Sequence, residues 1–501
     1  MLLRMNSRKA FGTRGYKERF AMKLRLKNIG IIEEADINLP GLTVITGKNS
    51  SGKSTVGKAL YAVIDGAIDI TEKYNNDISH MISVTLRSVS FLLSELSMIV
   101  RSSSRDSEEE SLRIKQLFSE YIKIWELLNL RPSTTRVIAS EAQVEELAQE
   151  FEKFDVVDII DRINKIRNKY KQPDIRVSDK HEIRERVSEA GRRVDKLMNQ
   201  LNATPDYKAY AASNINDTLH KEFVNQIQPV KWDADYSDIT ISNDRQDIVD
   251  IRIDNNNVIA LDIANPDNYF DRAIMIDDPM IIDQIDGSIS QTGYLGGNEY
   301  IPGMEPSDHR ESLLRLIRNT KQRTVLEKTQ ISKEAQEIER KLDSMLSGDF
   351  SFEDEGSYII GKDGKKLRLS NMATGTKTVA ILIMLIREGL LTQKSVLIFD
   401  EPESHLHPEW QNIFAEIIVL IEKVIGAHIV LTTHSPNLFY ALDTYSRKYD
   451  IISRCAFYQT ESADNGHVKI NDVSKDVGKI YSDFLNYLLD MKAIREKLGT
   501  D

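Results

Sequence analysis

The sequence has little cysteine, no long apolar run and no excess of basic residues. Its single thiol, Cys455, cannot form a disulfide within the chain, which excludes a disulfide-stabilised secreted scaffold and favours a reducing compartment. No stretch approaches the ~20 apolar residues that a membrane-spanning helix needs. The net charge of −11 gives no overall basic footprint for nucleic acid. We therefore expect a cytoplasmic protein that does not associate with a membrane.

Apolar residues are nevertheless abundant, at 41% of the 501 residues, and a chain of this size is expected to form two or three lobes. Residues 1–21 carry six Lys or Arg side chains without a sustained apolar region, so they do not have the pattern of a secretory signal. We predict a disordered basic leader there, with Met22 as a second candidate start. A basic arm that touches nucleic acid or a partner is the alternative.

The most informative stretch is residues 41–60, GLTVITGKNSSGKSTVGKAL, which has the order strand, glycine-rich loop, helix. Its spacing G-x-x-x-x-G-K-S is that of a phosphate loop, or Walker A motif, whose backbone N–H groups cradle phosphates. Lys53 would bring its ammonium to the β- and γ-phosphates, and the hydroxyl of Ser54 would bind Mg²⁺. We predict that ATP is bound by the loop and the first turn of its helix: Gly47, Lys48, Asn49, Ser50, Ser51, Gly52, Lys53, Ser54 and Thr55.

A second acidic motif follows much later in the chain. Residues 395–401 read SVLIFDE, an apolar run that is typical of a parallel strand buried on both faces. Such a strand would bring Asp400 and Glu401 to the carboxyl edge of the sheet, where ligands bind in open α/β folds. We predict that Asp400 holds Mg²⁺ and that Glu401 is the catalytic base that orients and deprotonates the attacking water.

Another buried strand, in residues 427–433, ends directly before His434. We predict that His434 donates a hydrogen bond to the γ-phosphate or to the water; a loop histidine satisfied by its neighbours is the alternative. Glu403, His405 and His407 look like metal ligands, but no cysteine or further histidine completes a set, so a metal site there is the weaker interpretation.

Residues 370–378, SNMATGTKT, place small and hydroxyl side chains around Gly375, before a helix predicted over residues 379–389. A helix start of this composition is a candidate anion-binding site. Together with the phosphate loop and the two buried strands, this loop distinguishes the chain from a generic phosphate-loop ATPase.

The remaining patterns predict the domain organisation. Apolar residues from Ile183 to Leu201 recur at alternating steps of four and three, which predicts a helical hairpin or short coiled-coil arm. Basic runs at residues 165–171 and 184–193 contain acidic residues and are interpreted as solvated helix surface rather than as a nucleic-acid face. The predicted segments are a leader (1–21), the first part of the ATPase domain (22–70), a helical insertion (71–230), a β subdomain (231–305), a helical block (306–348), the second part of the ATPase domain (349–460) and a terminal strand and helix (461–501).

The phosphate loop, the long insertion, the small-residue loop, the DEPESHLHP motif and the TTHSP motif together resemble the ABC-type ATPases of the SMC and OLD branch of the AAA family. The resemblance covers residues 22–70 and 235–460. It implies an α/β fold: a P-loop ATPase head with a mostly parallel sheet, an antiparallel β subdomain and a helical or short coiled-coil insertion.

The resemblance also implies a mechanism. Two heads of a homodimer or higher homo-oligomer would sandwich two ATP molecules with Mg²⁺. Thr374 and Gly375 of the signature loop (residues 373–377) would contact the nucleotide of the other head. Glu401 would be the base, Asp400 the metal ligand and His434 the switch residue. Two departures stand out. Ala373 occupies the usual position of the signature serine, and Asp277, Asp278 and Pro279 lie where a Q-loop glutamine is expected, with Gln284 a weak candidate.

Only 67 of the 501 residues follow His434, too few for the TOPRIM nuclease of OLD proteins. The chain therefore resembles the ATPase subunits of the Septu (PtuA) and PARIS (AriA) anti-phage systems, which act with a separate nuclease or toxin. The resemblance predicts a slow ATPase that acts as a sensor or regulatory subunit of a separate effector protein. The alternatives are a DNA-binding SMC- or RecF-like ATPase of DNA repair or chromosome maintenance, and a nucleotide-dependent scaffold that does not hydrolyse ATP.

Overall fold

The computed structural model describes residues 22–78, 203–284, 308–318, 340–343, 348–353, 356–361, 364–463 and 466–485, together with scattered residues between 80 and 200 and Ile338. The predicted leader, most of the predicted helical insertion with its coiled-coil arm, and the end of the predicted terminal helix lie outside these residues. The described residues belong to two compact units. The first contains the described residues up to Ile70 and from Lys208 onward, and the second contains those from Thr71 to Tyr207.

Five parallel strands form one half of an eleven-stranded sheet in the first unit. Four of them are short runs rich in Val, Ile and Leu and are almost wholly buried, as expected for parallel strands covered on both faces. Their carboxyl ends meet at one edge of the sheet. In spatial order they are β13 (Cys455–Ser462), β3 (Leu42–Thr46), β12 (His428–Thr433), β11 (Ser395–Asp400) and β7 (Arg272–Ile276).

The other half of the sheet is antiparallel, and its strands alternate buried and exposed residues because one face is solvated. Its strands, in spatial order, are β6 (Asn257–Ile263), β5 (Asp247–Asp254), β4 (Ser237–Asn243), β1 (Met22–Ile29) and β2 (Ile32–Leu39). The two halves are continuous, because β14 (Val468–Asp472) pairs parallel with β2 and antiparallel with β13. The predicted α/β class, with its parallel sheet and antiparallel β part, is confirmed.

Helices cover both faces of the parallel strands. On one face lie α1 (Lys53–Ala67) and α2 (Tyr207–Glu222), whose apolar residues share a core with the antiparallel strands. The two helices approach closely at Gly66, where an added Cβ would lie 2.7 Å from the Cα of Ile215. The opposite face is covered by α3 (His309–Arg318), α4 (Thr374–Arg387), α5 (Pro408–Ile425) and α6 (Pro436–Lys448).

A separate three-stranded antiparallel sheet consists of β8 (Gly348–Glu353), β9 (Gly356–Gly361) and β10 (Lys366–Arg368). The chain passes directly from β10 into the small-residue loop and then α4. Helix α4 begins at Thr374, five residues earlier than the sequence predicts, so this loop forms the first helical turn. Within the described part of the chain, no helix is both long and apolar enough to cross a membrane.

Candidate active site

The phosphate loop lies between the carboxyl end of β3 and the start of α1. Gly52, the residue before the helix, has a left-handed backbone (φ 80°), and a side chain there would crowd Ile32 at 3.1 Å. No side chain caps α1, so its first N–H groups keep their capacity to bind an anion. Lys48, Asn49 and Ser50 are exposed, Ser51 and Gly52 are buried, and Ser54 and Thr55 are half-buried in the first turn.

Lys53 is buried beneath this loop. Its Nζ donates hydrogen bonds to the carbonyl oxygens of Gly47 (3.0 Å) and Lys48 (2.7 Å). The same nitrogen lies 3.1 Å from Glu401 Oε1, and the Lys53 side chain is only 3% exposed. The ammonium is therefore held between the phosphate loop and the acidic end of β11.

The acidic pair is oriented by the neighbouring strand. Thr432 Oγ1 on β12 donates a hydrogen bond to Asp400 Oδ1 at 2.5 Å and accepts one from the backbone N–H of Glu401 at 3.1 Å. Glu401 adopts a left-handed backbone conformation (φ 49°), which is uncommon for a residue with a side chain. Such conformations cluster at active sites, where the surrounding structure must hold them in place.

His434 lies next to the same carboxylate. Its Nδ1 is 3.4 Å from Glu401 Oε2 and 3.4 Å from Glu403 Oε1. The ring is 42% exposed and so remains accessible. Four residues that the sequence selects independently, Lys53, Asp400, Glu401 and His434, therefore come together at the carboxyl edge of the parallel strands.

The family comparison agrees with this geometry. The family model described as "AAA ATPase domain" matches residues 22–439. The chain belongs to the AAA ATPase domain family. It is therefore an ATPase, and the matched range includes the phosphate loop and the acidic strand.

Similarity to solved structures is weak in detail, although it spans most of the chain. "Crystal structure of the SmcHead bound to the C-winged helix domain of ScpA" has 14% identity and a TM-score of 0.38, covering 92% of this chain and 99% of that one. "SMC head domain from Thermotoga maritima" has 10% identity and a TM-score of 0.34, covering 91% and 99%. A Pyrococcus furiosus Smc head domain has 11% identity and a TM-score of 0.30, covering 93% and 99%. No curated protein matches the chain.

The residues of this AAA ATPase fit its substrate and a divalent cation. A phosphate needs backbone donors and a cation, which the uncapped start of α1 and Lys53 provide. Mg²⁺ prefers oxygen ligands, which the Ser54 hydroxyl and the Asp400 carboxylate provide. Across the described residues, no group of three or more His, Cys, Asp or Glu side chains is placed to hold a metal ion. His407 instead caps α5, accepting a hydrogen bond from the Glu409 N–H.

Thr374 and Gly375 are not part of this cluster. They lie in the first turn of α4, which packs against a 3-10 helix, Pro279–Ile282, that follows β7. In the sheet, β7 is three strands from β3, or about 14 Å at ~4.8 Å per strand. The turn is tied to the 3-10 helix by Lys377, which is 1% exposed and bonds Asp283 Oδ2 at 2.7 Å and the Ser370 carbonyl at 3.1 Å.

One of the acidic residues at the expected Q-loop position, Asp277, is held by ion pairs with α3. Asp277 pairs with His309 Nε2 (2.9 Å) and with the Arg310 guanidinium (2.5 Å). Burial alone would raise the pKa of Asp277, but these partners hold it well below its usual range. Asp277 is thus engaged by α3 rather than available as a glutamine substitute. Gln284, the weak candidate for the Q-loop glutamine, lies two residues after the end of the 3-10 helix.

Sequence reasoning missed three supporting residues of the site. Thr432 orients Asp400, Thr433 contacts Glu403, and Thr460 contacts the phosphate loop. The first two directly precede His434 in the TTHSP motif. Their position at the end of a buried strand is a sequence signal that they lie near the site. Thr460 lies in a strand without any motif, so nothing in the sequence points to it.

Proposed function

We propose that this ATPase hydrolyses ATP with Glu401 as the base, Asp400 and Ser54 as the Mg²⁺ ligands and His434 as the switch residue. The observation that carries the assignment is the contact chain from Lys53 through Glu401 to His434, with distances of 3.1 and 3.4 Å. Ser54 and Asp400 would hold Mg²⁺, which when bound would supply positive charge to the phosphates. Lys53 and the N-terminus of α1 bind the phosphates, while Glu401 orients a water and accepts its proton.

A steady-state ATPase assay with three variants tests these roles. Lys53→Ala should abolish ATP binding, and Glu401→Gln should retain binding but lose turnover, because the amide cannot accept the proton. Glu409→Gln, the same change on an exposed residue of α5, is the matched control and should hydrolyse ATP at the wild-type rate. Glu401→Gln at the wild-type rate would show that another group is the base. The wild-type turnover number is expected to be slow, below the ~10 s⁻¹ median of enzymes.

We further propose that two heads dimerise around ATP. The support is the place of the first turn of α4. It packs against the 3-10 helix that follows β7, and β7 lies three strands from β3, which leads into the phosphate loop. This placement suits an action on the nucleotide of the other head. Light scattering of Glu401→Gln with and without ATP tests it. An ATP-dependent doubling of mass is the expected outcome, and a monomer at saturating ATP would refute the sandwich.

At the level of the cell, we propose a regulatory subunit of a bacterial anti-phage complex that controls a separate nuclease or toxin. Support comes from the motifs that the chain shares with the ATPase subunits of such systems. Affinity purification of Glu401→Gln, produced from its native locus with and without phage, should recover a stoichiometric nuclease-like or toxin-like protein. Recovery of DNA-repair proteins, or of DNA alone, would instead favour an SMC- or RecF-like role in DNA maintenance.

A further inference from the structure

Glu403 is a buried carboxylate whose function the motif does not explain. It lies in a 3-10 helix, Pro402–His405, two residues after the proposed base, and its side chain is 3% exposed. Its Oε1 accepts three hydrogen bonds: from Thr433 Oγ1 (2.6 Å), from the His434 N–H (2.8 Å) and from the Ser435 N–H (3.2 Å). The three donors are consecutive: Thr433 is the last residue of β12, and His434 and Ser435 follow it directly.

A carboxylate this deeply buried is costly unless hydrogen bonds compensate it. Among the described residues, Glu403 Oε2 has no hydrogen-bond partner, so all the compensation comes through Oε1. The side chain thus concentrates its bonds on one short segment of the chain, through one side-chain hydroxyl and two backbone N–H groups. That segment carries His434, whose Nδ1 is itself 3.4 Å from the same oxygen.

Capping of the next helix does not require Glu403. Helix α6 begins after Ser435, and the Ser435 hydroxyl itself caps the helix by accepting a hydrogen bond from the Leu438 N–H at 3.2 Å. The same hydroxyl donates to Gln411 Oε1 on α5 at 2.9 Å. Because the start of α6 is secured on its own, the contacts to Thr433 and to the N–H of His434 need a different explanation.

We infer that Glu403 is a positioning residue for His434. It joins the chain just after β11 to the chain just after β12 and fixes the backbone on both sides of the histidine. The ring is thereby kept against Glu401 Oε2 and aimed at the reacting phosphate. This inference rests on the proposed role of His434 in hydrolysis and adds the residue that holds it there.

A double-mutant cycle with Glu403→Ala and His434→Ala tests the inference. Glu403→Ala should lower kcat roughly 10- to 100-fold, because misplacing a catalytic group by about 1 Å costs on that order. KM for ATP should change little, since the hydrogen bonds of Glu403 go to the segment around His434 and not to the phosphate loop. Glu403→Gln retains a carbonyl oxygen that can accept the three bonds and should recover most of kcat. It also keeps the test valid if the alanine variant folds poorly.

The double-mutant cycle shows whether Glu403 acts by positioning His434 or only by stabilising the fold. If Glu403 acts through His434, Glu403→Ala should cost little further activity in the His434→Ala background, because the effects of residues that act as a unit are not additive. An equal loss in both backgrounds, or a wild-type kcat for Glu403→Ala, would overturn the positioning role alone. A wild-type kcat for His434→Ala would instead refute the proposed role of His434 on which the inference rests.

Discussion

Thr460 donates a hydrogen bond to the Ser51 hydroxyl at 2.7 Å, across 409 residues of sequence. Strands β13 and β3 are parallel neighbours, with Gln459 paired to Thr46, so the end of β13 lies beside the phosphate loop. An added Cβ on Gly47 would lie 1.8 Å from Thr460 Oγ1. Thr460 therefore packs directly on the proposed phosphate-binding loop.

Thr460→Val keeps the shape of the side chain and removes this hydrogen bond. The loss of one hydrogen bond costs about 1 kcal/mol, and if that cost falls on the conformation that binds ATP, the dissociation constant for ATP should rise about fivefold. The kcat should stay near wild type because Glu401 and His434 are untouched. Titration with a fluorescent ATP analogue measures the affinity.

Thr240→Val is a matched control for this change. Thr240 on β4 is buried and donates a hydrogen bond to Asp250 at 2.7 Å, in the antiparallel half of the sheet. It should lower the free energy of unfolding without weakening ATP binding. Equal affinities for the two valine variants would show that the Thr460 contact is only structural.

A buried histidine makes stability depend on pH. His309 Nδ1 lies 2.7 Å from Glu222 Oε2, and its Nε2 lies 2.9 Å from Asp277 Oδ1. Burial alone would lower the pKa of His309, but the hydrogen bonds to Asp277 and Glu222 outweigh it and raise the pKa to about 9 from 6.5. The folded state therefore favours the charged ring, which joins the ends of α2 and β7 to α3.

The sign of the effect follows from the raised pKa of His309. Its contribution to stability is fully present below pH 6.5 and is lost as the pH rises through about 9. Urea unfolding at several pH values should give a free energy of unfolding that falls over this interval. His309→Gln should be less stable at pH 6 and nearly flat between pH 6.5 and 9, and an unchanged slope in that variant would assign the dependence to other groups.

The local motifs of the site could be predicted from sequence because each is a short run with its own chemistry. The strand, loop and helix around Lys53, and the buried strand before Asp400, are fixed by local pattern alone. Thr460 and His309 could not be predicted, since their contacts join residues that only the tertiary fold brings together. The early start of α4 was missed because Gly375 and the neighbouring threonines are poor helix formers. These residues nevertheless form a helical turn, and Lys377 within that turn is buried next to the 3-10 helix that follows β7.

Lys377 and Asp283 provide a test of that turn. Lys377→Met keeps an unbranched side chain but leaves Asp283, 29% exposed, and the Ser370 carbonyl without their cation. We expect a loss of about 1.5 kcal/mol in the free energy of unfolding, the lower end of the range for hydrogen bonds to charged groups, because Asp283 is partly exposed. Asp283→Asn in the Lys377→Met background should recover part of this loss. Strictly additive losses, measured by urea unfolding, would argue against a direct pairing.

Ala373 allows the stability of α4 to be separated from its proposed contact with the second head. Ala373 is the exposed N-cap residue of α4 and makes no side-chain cap. Both Ala373→Ser and Ala373→Asp supply a capping oxygen, typically worth ~1 kcal/mol, so both variants should unfold at a higher temperature.

If the turn meets the γ-phosphate of the other head, the serine hydroxyl should raise the ATPase rate a few-fold. The aspartate should lower the rate, because like charges repel. Equal rates for the two variants, measured with their melting temperatures, would show that this turn does not approach the nucleotide.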